Sequence, residues 1–203
     1  MIDALAKIAV RDVPRETFEK LESYVSLLIE ANAAQNLISS STVDTIWVRH
    51  ILDSAQLISL ASRGSWLDIG SGAGLPGVVI AILTGEPIVL LEPRRLRVEF
   101  LNRMKSELLL PNVTVVAGKT TALCTKFDKI TARAVAPAPD LFAMAHHLSR
   151  RETVWLLPKG RSAQKELDAT RASWQGQFRL EASRTDAGAS ILIASRVQPR
   201  GKR

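Results

Sequence analysis

Cysteine is almost missing from this chain. Cys124 is the single thiol in 203 residues, which excludes an internal disulfide and a cysteine-cluster metal site; no metal is expected. Long apolar runs are missing too. Stretches such as Gly77–Leu83 and Ile88–Leu91 fall far short of the roughly 20 residues that span a bilayer. Met1–Val10 carries Asp3 and has no apolar core of signal-peptide length. There is no internal repeat, no low-complexity tract and no recognisable nucleophile–base triad. Together these absences point to a cytoplasmic, membrane-free protein, expected to be a monomer.

What is present is a globular composition, 46% hydrophobic and 23% charged, enough for a sizeable core. The net charge is +7 and the pI about 10.0. Its distribution is uneven. Residues 1–60 hold five Lys+Arg against eight Asp+Glu, residues 61–140 ten against seven, and residues 141–203 twelve against five. The last third ends in Arg196, Arg200, Lys202 and Arg203. Such asymmetry favours a polyanionic partner; a solvated, solubilising tail is the alternative.

The first sixty residues carry helical periodicity. Phe18, Leu21, Val25, Leu28 and Ile29 recur on one face after Pro14, and Val43–Leu60 repeats the pattern through Ile46, Trp47, Ile51, Leu52, Ala55 and Leu57. Polar, Ser-rich Asn36–Thr42 reads as a loop between them. From Ser65 the texture changes to short strands alternating with helices. Strands are expected at Trp66–Ile69, Ile88–Glu92, Val113–Val116, Lys129–Arg133, Val154–Leu157, Phe178–Ala182 and Ile191–Ser195. Helices are expected at Leu75–Leu83, Arg95–Leu109, near Thr120–Cys124, at Pro139–His147 and at Ser162–Ser173. This alternation predicts an α/β fold, with a mostly parallel seven-stranded sheet between two layers of helices. The last two strands are too close for a crossover helix, so they predict an antiparallel C-terminal hairpin. That is the arrangement of Rossmann-like class I methyltransferases. The expected organisation is an N-terminal helical cap, residues 1–60, on a cofactor-binding domain, residues 61–203, together one compact unit.

The most informative segment is Trp66-Leu67-Asp68-Ile69-Gly70-Ser71-Gly72-Ala73-Gly74-Leu75-Pro76-Gly77. Glycines between a strand and a helix let the backbone turn tightly and approach a ligand. Gly72, Gly74 and Gly77 fit the dinucleotide pattern, whereas Gly70, Gly72 and Gly74 fit the methyltransferase turn. Because the strand ends near Ile69, the turn begins at Gly70, which favours the second register. Asp68 would repel a pyrophosphate but suits the cationic amino-acid end of S-adenosylmethionine. Glu92, 22 residues after Gly70, can accept both ribose hydroxyls. A nicotinamide enzyme uses the same device, so Glu92 supports an adenosine ligand without choosing between cofactors.

Asn36-Leu37, Arg49-His50-Ile51-Leu52-Asp53-Ser54 and the Asp68–Gly77 segment resemble the bacterial ribosomal RNA small-subunit methyltransferase G family, also called glucose-inhibited division protein B. The likeness continues through Glu92, Arg97–Leu101, Arg133-Ala134 and Leu157-Pro158-Lys159-Gly160. The resemblance implies transfer of a methyl group from S-adenosylmethionine to guanine N7 in 16S ribosomal RNA. It also implies low-level streptomycin resistance when the enzyme is lost. It places cofactor contacts on Gly70, Leu75, Thr120, Thr121 and Arg133. The acidic residue usual near Thr121 is absent here. The alternatives are a methyltransferase for another RNA or a small molecule, and a non-catalytic RNA-binding or ribosome-assembly factor.

Methylation of guanine N7 uses an in-plane lone pair and requires no general base, only alignment. Arg133, expected at the end of the fourth strand, is a candidate for cofactor or base contact, or a strand-end ion pair. His50 either positions substrate through Asp53 or packs the seam between cap and sheet. Arg49 and Asp53 share a helix face, which allows an intrahelical ion pair or a role toward RNA. Lys159 reads as a phosphate contact or a solvated turn lysine. Arg200, Lys202 and Arg203 complete the expected RNA contacts. His146 and His147 read as a helix end, and Trp155 and Trp174 as core.

Overall fold

The computed structural model describes residues 1–201; Lys202 and Arg203, expected at the RNA, lie outside the described residues. Two helices begin the chain, α1 (Ile2–Ala9) and α2 (Arg15–Gln35). Pro14 opens α2, where its missing N–H costs nothing. Asn36 closes α2 in the left-handed conformation, donating its N–H to the Asn32 carbonyl. Leu21, Tyr24, Val25 and Leu28 form its buried face, while Ile29, expected there, is exposed.

The helical pattern expected over Val43–Leu60 is broken rather than continuous. A 3₁₀ turn (Ser40–Thr42), a π-helical stretch (Trp47–Leu52), one α turn, α3 (Asp53–Ala55), and a second 3₁₀ turn (Ile58–Leu60) follow one another. The π stretch adds a residue to the turn and rotates the side chains beyond it. It carries Arg49 and His50.

Alternating strands and helices follow: β1 (Trp66–Ile69), α4 (Gly77–Thr84), β2 (Ile88–Glu92), α5 (Arg95–Glu107), β3 (Val113–Ala117) and β4 (Phe127–Thr131). Then come α6 (Ala138–Ala145), β5 (Ser149–Lys159), α7 (Ala163–Ser173), β6 (Trp174–Ala182) and β7 (Ser190–Pro199). The seven-stranded sheet has the order β3-β2-β1-β4-β5-β7-β6. β1 to β5 pair in parallel, and β7 pairs antiparallel with both β5 and β6.

Strand alternation sorts the core into two layers. Trp66, Ile88, Leu90 and Val113 face the layer that holds α4, α5 and the N-terminal helices, where Leu5, Leu21, Tyr24 and Leu28 join the same apolar cluster. Leu67, Ile69, Ile130 and Trp155 face α6 and α7. Asp68 therefore points to the first layer, toward the N-terminal segment.

β4 lies two residues earlier than expected. Its register pairs Trp66 with Lys129 and Asp68 with Thr131, so it ends one residue short of the end of β1. Arg133 stands beyond the strand, in a bend where Ala134 adopts φ 56°. The α4 helix starts at Gly77, not Leu75.

Candidate active site

The order of strands reverses direction from β1, with β2 on one side and β4 on the other, and open α/β sheets bind ligands at this point. The turn after β1 hangs from the end of β2: Gly70 and Ser71 donate their N–H groups to the Leu91 carbonyl at 2.8 and 3.2 Å. Gly70, Gly72 and Gly74 all have positive φ, 67°, 54° and 88°, a region that L-residues enter only at a cost. Gly77 does not. It is required for another reason: a Cβ there would stand 2.3 Å from Leu90 Cδ2 and 2.6 Å from Asp68 Oδ2. The three turn glycines are thus Gly70, Gly72 and Gly74, and Gly77 lets α4 sit close to the sheet.

The expected carboxylates are present but engaged in building the turn. Glu92 is 3% exposed. Its Oε2 accepts the Gly72 N–H at 2.9 Å and its Oε1 the Arg94 N–H at 2.9 Å. Each oxygen keeps a second lone pair, so both remain able to accept from a ligand's hydroxyl groups. Asp68 is fully buried. Its Oδ2 accepts the Gly77 N–H at 3.1 Å, at the start of α4, and its Oδ1 has no hydrogen-bond partner among the described residues. Tyr24, the chain's only tyrosine, reaches in from α2 and donates to the Ala73 carbonyl at 2.7 Å. Sequence inspection missed this contact; a lone tyrosine on an apolar helix face was its only signal. Thr120 is buried and Thr121 exposed in a 3₁₀ turn (Thr120–Ala122) at the end of β3. His147, read as a helix end, donates from Nε2 to the Thr120 carbonyl at 3.2 Å. Leu75 packs its side chain into the core beneath the turn.

These residues fit S-adenosylmethionine. The turn offers close backbone approach, Glu92 stands at the end of the neighbouring strand, and the free oxygen of Asp68 is an acceptor that a cationic group would satisfy. Burial pushes the Asp68 carboxyl up from 3.8 to about 7, against the lowering effects of the Gly77 N–H, the nearby Ser71 hydroxyl and the Arg133 charge. Because the folded value is raised, its contribution to stability is complete below about pH 4 and is lost as pH rises through 7. With roughly 1.4 kcal/mol per pH unit, that is at most about 4 kcal/mol. Asp68→Asn keeps an acceptor for Gly77 and cannot ionise. We expect its stability relative to the wild type to rise between pH 5 and pH 8 in denaturant titrations; a constant difference would show that Asp68 ionises as it does in solvent.

Beside the turn lies a cleft of about 650 Å³. Its walls come from the N-terminal segment (Arg49, His50, Asp53), the bend Arg133–Pro137, the turn after β5, and the β6–β7 tip. Val135 joins turn and cleft, since the Cβ position of Gly70 lies 2.6 Å from its Cγ2. Arg133 is the polar centre. Its Nη1 is 3.2 Å from His50 Nδ1 and 3.6 Å from Asp53 Oδ2. An arginine can only donate, so Nδ1 accepts and His50 Nε2 donates to Thr42 Oγ1 at 2.9 Å. Burial, with the charges of Arg133 and Arg49, lowers His50 to about 4; it is neutral at pH 7.

Several expected pairings are replaced by others. His50 meets Arg133 and Thr42 rather than Asp53. Arg49 pairs with Asp186 of the β6–β7 tip instead of Asp53. Asp53 Oδ1 accepts from Gln56 Nε2 and Thr185 Oγ1, each at 2.8 Å. The broken helix explains both changes, because α-helical spacing no longer relates these residues. Lys159 is not a solvated turn residue, and its charge is matched within the fold. Its side chain is 8% exposed, with Nζ 2.8 Å from Glu166 Oε2 and 3.0 Å from the Ala136 carbonyl; it braces the cleft wall. Arg200 lies far off. β7 begins at the cleft with Ser190 and ends at Pro199, so its ten residues carry Arg200 roughly 30 Å toward the opposite end of the strands.

Sheet order and turn geometry define a class I methyltransferase of the S-adenosylmethionine-dependent type. Solved structures share the fold: a mutant of MtNAS in complex with S-adenosylmethionine matches with TM-score 0.59 and 18% identity, over 87% of this chain and 74% of that one. A SAM-dependent methyltransferase from Aquifex aeolicus matches with TM-score 0.59 and 12% identity, over 77% and 98%. The family model for rRNA small subunit methyltransferase G (GidB) matches residues 17–188, and the chain belongs to that family. Two curated relatives named Ribosomal RNA small subunit methyltransferase G agree. The one from Rhizorhabdus wittichii is 46% identical over 94% of this chain and 90% of its own length. The one from Zymomonas mobilis subsp. mobilis is 46% identical over 93% and 90%.

Proposed function

We propose that this protein transfers a methyl group from S-adenosylmethionine to N7 of a guanine in 16S ribosomal RNA, acting in the cytoplasm as a monomer on the RNA or a small-subunit precursor. The observation that carries the reading is the contact between the glycine turn and the cleft through Val135. It puts the glycine turn beside a cleft with room for a nucleotide, which supports the reading.

When bound, S-adenosylmethionine supplies an electrophilic methyl group on a positively charged sulfur. Gly70, Gly72 and Gly74 let the backbone approach it, Glu92 holds the turn and presents acceptors to the ribose, and Asp68 balances positive charge at its amino-acid end. Arg133 and neutral His50 orient the base. The guanine must be unstacked to enter the cleft. Its N7 lone pair needs no deprotonation, so alignment and exclusion of water supply much of the rate. Neutral His50 suits this chemistry, because a second cation beside Arg133 would oppose the charge that develops on the base.

Mass mapping of 16S ribosomal RNA from cells with and without the protein tests the assignment. One guanine should gain a methyl group, lost in the deletion strain and restored by the wild-type chain. Unchanged 16S ribosomal RNA would refute it, and methylation of a different RNA or small molecule would favour the alternative substrates.

A further inference from the structure

The displacement of Arg200 from the cleft raises the question of what holds the RNA backbone near the reacting base. A second cavity, of about 350 Å³, lies behind the β6–β7 tip. Arg11, Arg63 and Arg184 line it, from the segment after α1, the loop before β1 and the β6–β7 tip. None of the three forms an ion pair among the described residues. Arg184 Nη1 has one contact, 3.3 Å from the Ile8 carbonyl. The acid lining the cavity is Glu86, and its charge is taken: Oε2 lies 2.8 Å from Lys129 Nζ, whose side chain is 2% exposed, and accepts the Trp66 indole N–H at 2.7 Å. Three like charges from distant parts of the chain therefore converge on a concave surface without a counter-charge of their own.

The two cavities meet at the β6–β7 tip, and the second extends from there toward the start of β1, at Arg63 and Trp66. Ser183 and Thr185 of the tip turn to the cleft, and Arg184 between them turns to the second cavity. Gln56 joins the tip to the N-terminal segment by accepting the Arg184 N–H at 2.9 Å. Asp53 lines the cleft and Ser59 the second cavity, a separation of roughly 9 Å along a helical axis. Guanidinium groups are suited to phosphate through their fixed fork of donors.

We infer that Arg11, Arg63 and Arg184 form a binding site for the phosphodiester backbone of the RNA next to the nucleotide held in the cleft. This rests on the RNA-methyltransferase reading above. The site draws one of its charges from the acidic N-terminal third, where composition gave no reason to seek an RNA contact.

The test uses the full chain, with Arg63→Ala alone and the triple variant Arg11→Gln, Arg63→Gln, Arg184→Gln. Arg63 has no hydrogen bond among the described side chains, so its single variant keeps the test valid if the triple variant folds poorly. Binding to a 16S ribosomal RNA transcript is measured across a salt series, beside S-adenosylmethionine affinity and methyl transfer to small ribosomal subunits. Each phosphate contact contributes about 0.7–0.9 to the log–log salt slope. Arg63→Ala should reduce the slope by somewhat under 1 and the triple variant by about 2–3, raising KM for subunits and sparing kcat and cofactor affinity. Wild-type slopes in both variants would overturn the site. If inorganic phosphate alone binds the wild type and not Arg63→Ala, with RNA slopes unchanged, the cavity holds a free anion and the backbone assignment is wrong. Failure of the wild type to methylate any subunit would instead overturn the functional reading on which the site rests.

Discussion

Gly72→Val should abolish S-adenosylmethionine binding in a protein that still folds, whereas Gly77→Ala should lower stability far more. The two glycines stand five residues apart and are needed for different reasons. Gly72 has φ 54°, and an L-residue in the left-handed region costs about 1–2 kcal/mol. The neighbour its Cβ would meet is Arg97 Nη1 at 3.1 Å, the tip of a flexible side chain that can move aside. The loss of fold stability is therefore modest, while the new side chain and the displaced turn deny the backbone its close approach to the cofactor. At Gly77 the backbone is ordinary, but a Cβ would press on Leu90 Cδ2 at 2.3 Å and Asp68 Oδ2 at 2.6 Å, both in the buried layer beneath α4. Overpacking of this kind costs about 1–3 kcal/mol, here at the upper end, equivalent to a fall in melting temperature of roughly 6–12 °C for a chain of this size. Calorimetric titration and thermal denaturation of both variants measure the contrast. Normal cofactor affinity in Gly72→Val would move the cofactor site away from this turn.

Arg133→Ala should reduce methyl transfer by about two orders of magnitude or more, a loss in the range that follows removal of a positioned charged group. The guanidinium faces His50 and Asp53 and lines the cleft. Its removal leaves Asp53, with a side chain 19% exposed, without its counter-charge and releases one side of the imidazole. Because burial and then Arg133 depress His50, the variant should raise the histidine above about 4 while burial and Arg49 still hold it below its ordinary value, followed as a histidine resonance in an NMR titration. A low folded value means that neutral His50 favours the fold above about pH 6.5, and that this contribution is lost as pH falls toward 4. That acid-side loss should shrink in Arg133→Ala. An unmoved histidine together with wild-type activity would show that Arg133 is only a structural ion-pair partner.

Much of the fold is legible in the sequence, for physical reasons that differ by element. β1 and β2 matched their expected bounds because short apolar runs bracketed by glycine and proline allow few other conformations. The closing hairpin followed from chain length alone. The turn register followed from where β1 runs out. The fourth strand differs from expectation because Lys129–Arg133 alternates as well as Phe127–Thr131 does; pairing with β1 decides between them. The helix expected over Val43–Leu60 was misread because a π insertion changes which residues share a face without altering the apolar pattern.

Local sequence determined the α/β class, the glycine turn and the carboxylates that flank it, since these depend on backbone freedom and on periodicity over a few residues. Only the tertiary structure decided the partners of the charged groups. Charge in a sequence carries no direction: Lys159 was drawn into a wall by Glu166 seven residues later, and Arg49 was matched across the fold by Asp186. Arg200 is carried to the opposite end of the strands by the length of β7, while Arg11, Arg63 and Arg184 are gathered from three distant segments. Electrostatic energy depends on distance in space and on burial, and both are set by how the N-terminal segment meets the sheet and the β6–β7 tip.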